Sequence, residues 1–108
     1  MTTLSTHVLD VERGVPAAGL PIVLFRGDRP LAQAETNADG RVGDVAGGPL
    51  DAGTYRLVFE VAAYFTSLGR DVPFLRRVSI DFDVHASDGH YHVPLLLSAY
   101  ACTSYRGS

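Results

Sequence analysis

Lysine is missing from this 108-residue chain: all nine of its positive residues are arginine. With twelve Asp and Glu the formal charge is -3, and no basic cluster forms the electrostatic footprint of a nucleic-acid partner. Cysteine occurs once, as Cys102, so no disulfide can close within the chain and a disulfide-stapled secreted mini-domain is excluded. Apolar runs are short, and none approaches the roughly 20 residues of a membrane-spanning helix. The opening "MTTLSTHVLD" lacks both the basic and the apolar stretch of a secretory signal, so a cytoplasmic protein with no membrane partner is expected. No glycine-rich phosphate motif, internal repeat or low-complexity tract is found.

What is present is alternation. The chain is 46% hydrophobic, a globular composition, and its length suits one domain over residues 1–108. Apolar residues recur with a period of two, the mark of strands with one buried face. In "LSTHVLD", Leu4, Thr6 and Val8 share one side, and Ser5, His7 and Leu9 the other. "LPIVLFRG" is a second strand that begins near Pro21 or lies at a sheet edge, and "PLAQAETN" a weaker third. "NADG" is a turn in which Gly40 supplies positive φ, and "RVGDV" a short strand after it. "TYRLVFEV" turns Tyr55, Leu57 and Phe59 inward. "RRVSIDFDV" does the same with Val78, Ile80, Phe82 and Val84, leaving Asp81 and Asp83 to solvent. Between these two, "AAYFTSLGR" is a short helix closed by Gly69. Seven or eight short strands and one helix give an all-β sandwich.

The segment "HYHVPLLLS" is less ordinary. Tyr91, Val93, Leu95 and Leu97 belong to the core, while His90, His92, Pro94, Leu96 and Ser98 share the opposite face. Pro94 cannot donate to a sheet ladder, so it needs a position where no N–H is required. His7 likewise lies off the core, beside Leu9. Three readings of these histidines stand together: solvated polar residues, a zinc site made by His7, His90 and His92, or a pair for general acid–base work. Arg41 reads on its own as an exposed turn arginine, His85 as a loop residue and Cys102 as an inert thiol.

"LSTHVLDVERGVPAAGLPI", "TNADGRV", "HYHVPLLLS" and the terminal "SYRGS" occur in that order. Together, from Leu4 to Ser108, they resemble the transthyretin-like proteins that act as 5-hydroxyisourate hydrolases. The related hormone carriers lack the "YRGS" tetrapeptide and the histidines matching His7 and His92, which favours an enzyme over a non-catalytic small-molecule carrier. The resemblance implies a transthyretin-like β-sandwich of two four-stranded sheets with one short helix. It implies a homotetramer, a dimer of dimers around a central channel that holds the active sites, and neither metal nor organic cofactor. The implied reaction opens 5-hydroxyisourate hydrolytically in urate degradation. By motif, His7, Arg41, His92 and Ser108 are the implied catalytic residues, and His7, Arg41, His92 and Tyr105 bind substrate. Arg106 and Gly107 complete the tetrapeptide, and His90 is a rim or supporting residue. One departure is "YACTSYRGS" where the family commonly has "YGYSTYRGS", which puts Cys102 in place of an aromatic residue.

Overall fold

Burial along the first strand, β1 (Thr3–Asp10), alternates residue by residue: Leu4, Thr6, Val8 and Asp10 are buried, and Thr3, Ser5, His7 and Leu9 half-buried. The computed structural model describes residues 2–107, so Ser108, one of the implied catalytic residues, lies outside the described residues. After β1 come β2 (Val15–Pro16), β3 (Pro21–Arg26), β4 (Arg29–Glu35), β5 (Arg41–Val42) and β6 (Gly53–Phe59). The helix α1 (Val61–Ser67) precedes β7 (Val78–Val84), β8 (His90–Leu97) and β9 (Cys102–Ser104). Gly69 just beyond α1 has φ 75°, the left-handed conformation that ends a helix.

One sheet is four-stranded and antiparallel, in the order β4-β3-β6-β7. The other has five strands, β2-β1-β8-β9 with β5 also on β1. The expected pair of four-stranded sheets is thus exceeded by one short strand. The free edge of β1 is shared: β2 pairs with Leu9–Asp10 and β5 with Thr6–His7. Alternation alone did not show that β1 and β8 run parallel, from Thr3↔His90 to Asp10↔Leu97. This pairing joins the two ends of the chain.

The inner faces of both sheets meet in one core. Leu4 and Val8 join Tyr91, Val93, Leu95 and Leu97 on one side, against Ile22, Leu24, Tyr55, Leu57 and Phe59 on the other. Each fully buried Leu or Phe contributes about 1.5–3 kcal/mol relative to exposure. Helix α1 adds Val61, Tyr64 and Phe65 to this core. The carboxylate of Asp10, 2% exposed, is fully engaged: Tyr64 donates to Oδ2 at 2.7 Å, and the N–H groups of Glu12 and Arg13 donate to Oδ1 at 3.1 Å. Burial, with the bond to Asp10, raises the Tyr64 pKa and keeps the hydroxyl a donor. Among the described residues no helix is long and apolar enough to cross a membrane.

Candidate active site

Sheet register assembles the site. On β1, His7 is the cross-strand partner of Arg41 on one side and of Pro94 on the other. Two residues earlier on the same face, Ser5 partners His92, and Thr3 partners His90. Partners in register point to the same face. The outer face of this sheet therefore carries Arg41, His7, Ser5, His92 and His90 together, although they come from opposite ends of the chain. Gly40 makes the placement of Arg41 possible. Its φ is 72°, its carbonyl accepts the Val8 N–H at 2.8 Å, and a Cβ there would lie 2.5 Å from the Val8 carbonyl oxygen.

An open cavity of ≈ 360 Å³ on this face is walled by Ser5, Thr6, Arg41, Val42, His90 and His92. His92 Nδ1 lies 2.8 Å from Ser5 Oγ, and Ser5 Oγ lies 2.8 Å from His90 Nε2. His90 Nδ1 in turn lies 2.6 Å from Thr3 Oγ1. No described residue hydrogen-bonds His92 Nε2. Burial, reinforced by the like charge of Arg41, His7 and His90, holds the His92 pKa below the ordinary imidazole value. A half-buried neutral imidazole with one free ring nitrogen beside an arginine is equipped to take a proton from water. Among the described residues no group of three or more His, Cys, Asp or Glu side chains is placed to hold a metal ion.

The C-terminal segment reaches the same histidine by another route, and Pro94 is the reason it does so as it does. The main-chain groups of His92 and Pro94 face β9: the Gly107 N–H donates to the His92 carbonyl at 2.7 Å, and the Ser104 hydroxyl to the Pro94 carbonyl at 2.8 Å. Thr6, on β1, donates instead to the carbonyl of Val93, as alternation along a strand requires. The absent N–H of Pro94 is thus on the β9 side. There β9 stops at Ser104, and pairing resumes only at the bridge between Gly107 and His92, without a register shift. Tyr105 and Arg106 occupy the gap. Arg106 lies over the Tyr91 ring, 4.2 Å from its centroid. It also donates to the His90 carbonyl at 3.3 Å and approaches Asp88 at 3.8 Å. Gly107 then packs so closely that a Cβ on it would lie 2.6 Å from His92 Cδ2.

The structure thus brings together His7, Arg41 and His92 among the implied residues. Tyr105 faces a neighbouring groove with Ile80, Phe82 and Val93 rather than the histidine cavity of its own chain. His85 is an exposed loop residue and Cys102 an exposed free thiol at the start of β9. Asp81 is exposed on the outer face of the other sheet, ion-paired to Arg56 at 2.7 Å. Sequence reasoning missed Ser5 and Thr3. Their signal was present, since alternation places both on the face of His7, but nothing local tied them to histidines 87 residues away.

A family model described as the HIUase/Transthyretin family matches residues 4–107. A 5-hydroxyisourate hydrolase of Deinococcus radiodurans is 46% identical, the alignment covering 97% of this chain and 95% of the relative. One from Caulobacter vibrioides is also 46% identical, with 100% of both chains covered. Among solved structures, the 5-hydroxyisourate hydrolase of Klebsiella pneumoniae superposes with a TM-score of 0.91 at 42% identity, again covering 100% of both chains.

Proposed function

The chain belongs to the HIUase/Transthyretin family, and from that premise we propose that it is a hydrolase that opens 5-hydroxyisourate to 2-oxo-4-hydroxy-4-carboxy-5-ureidoimidazoline in urate degradation. The observation that carries this reading is His92: a half-buried imidazole, its pKa lowered by burial, whose Nε2 has no hydrogen-bond partner among the described residues, in a cavity that Arg41 also lines. His92 takes a proton from water as the water oxygen bonds to the substrate carbonyl carbon. The ring C–N bond then breaks, and the departing nitrogen receives a proton from the imidazolium. Arg41 anchors the flat, readily ionised substrate and offsets the negative charge that develops on the carbonyl oxygen. His7, paired in register with Arg41, orients the water or substrate from the adjacent strand. Tyr105 and Ser108 supply hydrogen bonds from the C-terminal tetrapeptide.

The assembly is a homotetramer, a dimer of dimers. Two features support it. Strands β7 and β9 end their sheets without a further partner among the described strands. Beside them the large side chains of Phe74, Tyr100 and Tyr105 are exposed, the first two stacked with centroids 6.3 Å apart. In that assembly Tyr105 meets substrate in the channel between subunits, which fits its turning away from the histidine cavity of its own chain. The whole chain acts as one domain, and a cytoplasmic location agrees with a free exposed thiol.

Turnover decides the matter. Freshly generated 5-hydroxyisourate is followed by its ultraviolet absorbance, with the wild type and with His7→Asn and His92→Asn. The wild type accelerates decay over the spontaneous rate; His92→Asn loses at least about 100-fold of that acceleration, the lower end of a general acid–base contribution, and His7→Asn about 100-fold through misplaced water or substrate. Wild-type rates in both variants would remove the histidines from the mechanism. A light-scattering mass of one or two chains would remove the tetramer.

A further inference from the structure

A hydroxyl carries a single proton, yet Ser5 Oγ stands 2.8 Å from two imidazole nitrogens, Nδ1 of His92 and Nε2 of His90. The line continues to Thr3 Oγ1, 2.6 Å from His90 Nδ1. With the Ser5 proton kept within the line, four groups in series leave two ways to place the protons. In one, Thr3 donates to His90, His90 to Ser5 and Ser5 to His92. His92 then accepts at Nδ1 and must carry its own proton on Nε2, where it cannot act as a base. In the other, His92 Nδ1–H donates to Ser5, Ser5 to His90 Nε2, and His90 Nδ1–H to Thr3. His92 Nε2 is then a lone pair.

The surroundings select the second arrangement. The Arg41 guanidinium lines the same cavity and its charge acts on His92. With Nδ1 engaged by Ser5, Nε2 is the ring nitrogen left for the cavity that Arg41 lines, and a lone pair suits a cavity holding a cation better than another N–H does. The far end of the line suits the same direction. Thr3 Oγ1 accepts from His90, and at this exposed rim its own proton can turn to water. We propose that Ser5 and His90 are positioning residues that lock His92 in its Nδ1–H tautomer and so hold Nε2 ready to take a proton. The assignment rests on the hydrolase reading above and extends it. His90, a rim or supporting residue by sequence, takes the supporting role and acts through Ser5 rather than on substrate. When His92 becomes an imidazolium, its Nδ1–H already has an acceptor in Ser5, whose own proton is held by His90. No group has to rotate during the reaction.

Two measurements on the full-length protein test this. Heteronuclear NMR of protein with isotopically labelled histidine reads which ring nitrogen of His92 bears the proton. Steady-state turnover separates kcat from KM. The wild type shows His92 protonated on Nδ1. Ser5→Ala moves His92 toward the Nε2–H form and lowers kcat about tenfold, the equivalent of one neutral hydrogen bond, with KM little changed because Arg41 and His7 are untouched. His90→Gln gives a smaller shift in the same direction, and Ser5→Thr, which retains a hydroxyl, restores both readouts. An unmoved tautomer in Ser5→Ala overturns the assignment, as does a moved tautomer with unchanged kcat. A wild type that does not turn over 5-hydroxyisourate overturns instead the reading on which it rests. That failure is distinguishable because it appears before any substitution, and the tautomer measurement still decides the hydrogen-bond line.

Discussion

Gly107→Ala is the sharpest perturbation the site offers, because it adds a single carbon at a known place. That carbon would lie 2.6 Å from His92 Cδ2, and 3.3 Å from both Cγ and the His92 carbonyl oxygen. Non-bonded carbons rest at about 3.5–4.0 Å, so ring and tail must separate by about 1 Å. Two relaxations are open. The imidazole swings away and stretches its 2.8 Å contact with Ser5, or the tail lifts and breaks the 2.7 Å bond from the Gly107 N–H to the His92 carbonyl. Either one disturbs the base or withdraws the tetrapeptide. A misplacement of about 1 Å costs about 100-fold in rate, which is the expected loss in kcat/KM. Stability should change by no more than about 0.5 kcal/mol, since the substitution is near a terminus and outside the core. Gly89→Ala is the matched control. A Cβ at Gly89 meets nothing within 4 Å, and the residue is exposed close to β8. The assay is decay of 5-hydroxyisourate absorbance for both variants, with thermal melts of each. Gly107→Ala at wild-type turnover, or Gly89→Ala equally impaired, would refute the close-approach argument.

Two further predictions follow from the surroundings of His92 and Asp10. His92 works as a neutral base and its pKa lies below the ordinary imidazole value, so kcat/KM is level at neutral pH and falls only as pH drops through that lowered value; Arg41→Gln removes one of the charges that depress it, and an NMR titration should then place the His92 pKa higher, though still depressed by burial, the larger cause. Tyr64→Phe deletes the hydroxyl that donates to buried Asp10 at 2.7 Å and should cost about 1–3 kcal/mol in chemical denaturation, with unchanged turnover per folded molecule because this pair lies in the core and not at the histidine cavity.

Much of the architecture was legible in the residues. Alternation identified the inward rows of β1, β6, β7 and β8, because burial on one side of a pleated strand repeats every second residue. It also placed His7 and His92 off the core. The helix and its end at Gly69 followed from local rules of the same kind. Alternation does not say which strand lies beside which. Arg41 read by itself as an exposed turn arginine and was implied in the site by its motif alone; strand pairing is what sets it beside His7. Tyr105 carried its role from the motif alone, and in the single chain it faces another groove.

By itself, then, the amino-acid order determined which side chains leave the core and, through its motifs, which family they belong to. Those properties are local: they depend on side-chain period, turn chemistry and short runs of residue types. The tertiary structure decided neighbours. It set Ser5 between two histidines, brought Arg41 against His7 by the close approach at Gly40, and laid Gly107 on the ring of His92. Pro94 shows the division in one residue. Its sequence context said only that its missing N–H needs a place where none is required. That place is the side facing β9, where the ladder opens at Tyr105 and Arg106 before closing again on His92. Contacts between residues almost ninety positions apart depend on sheet register, and register is a property of the folded pair of strands rather than of either strand alone.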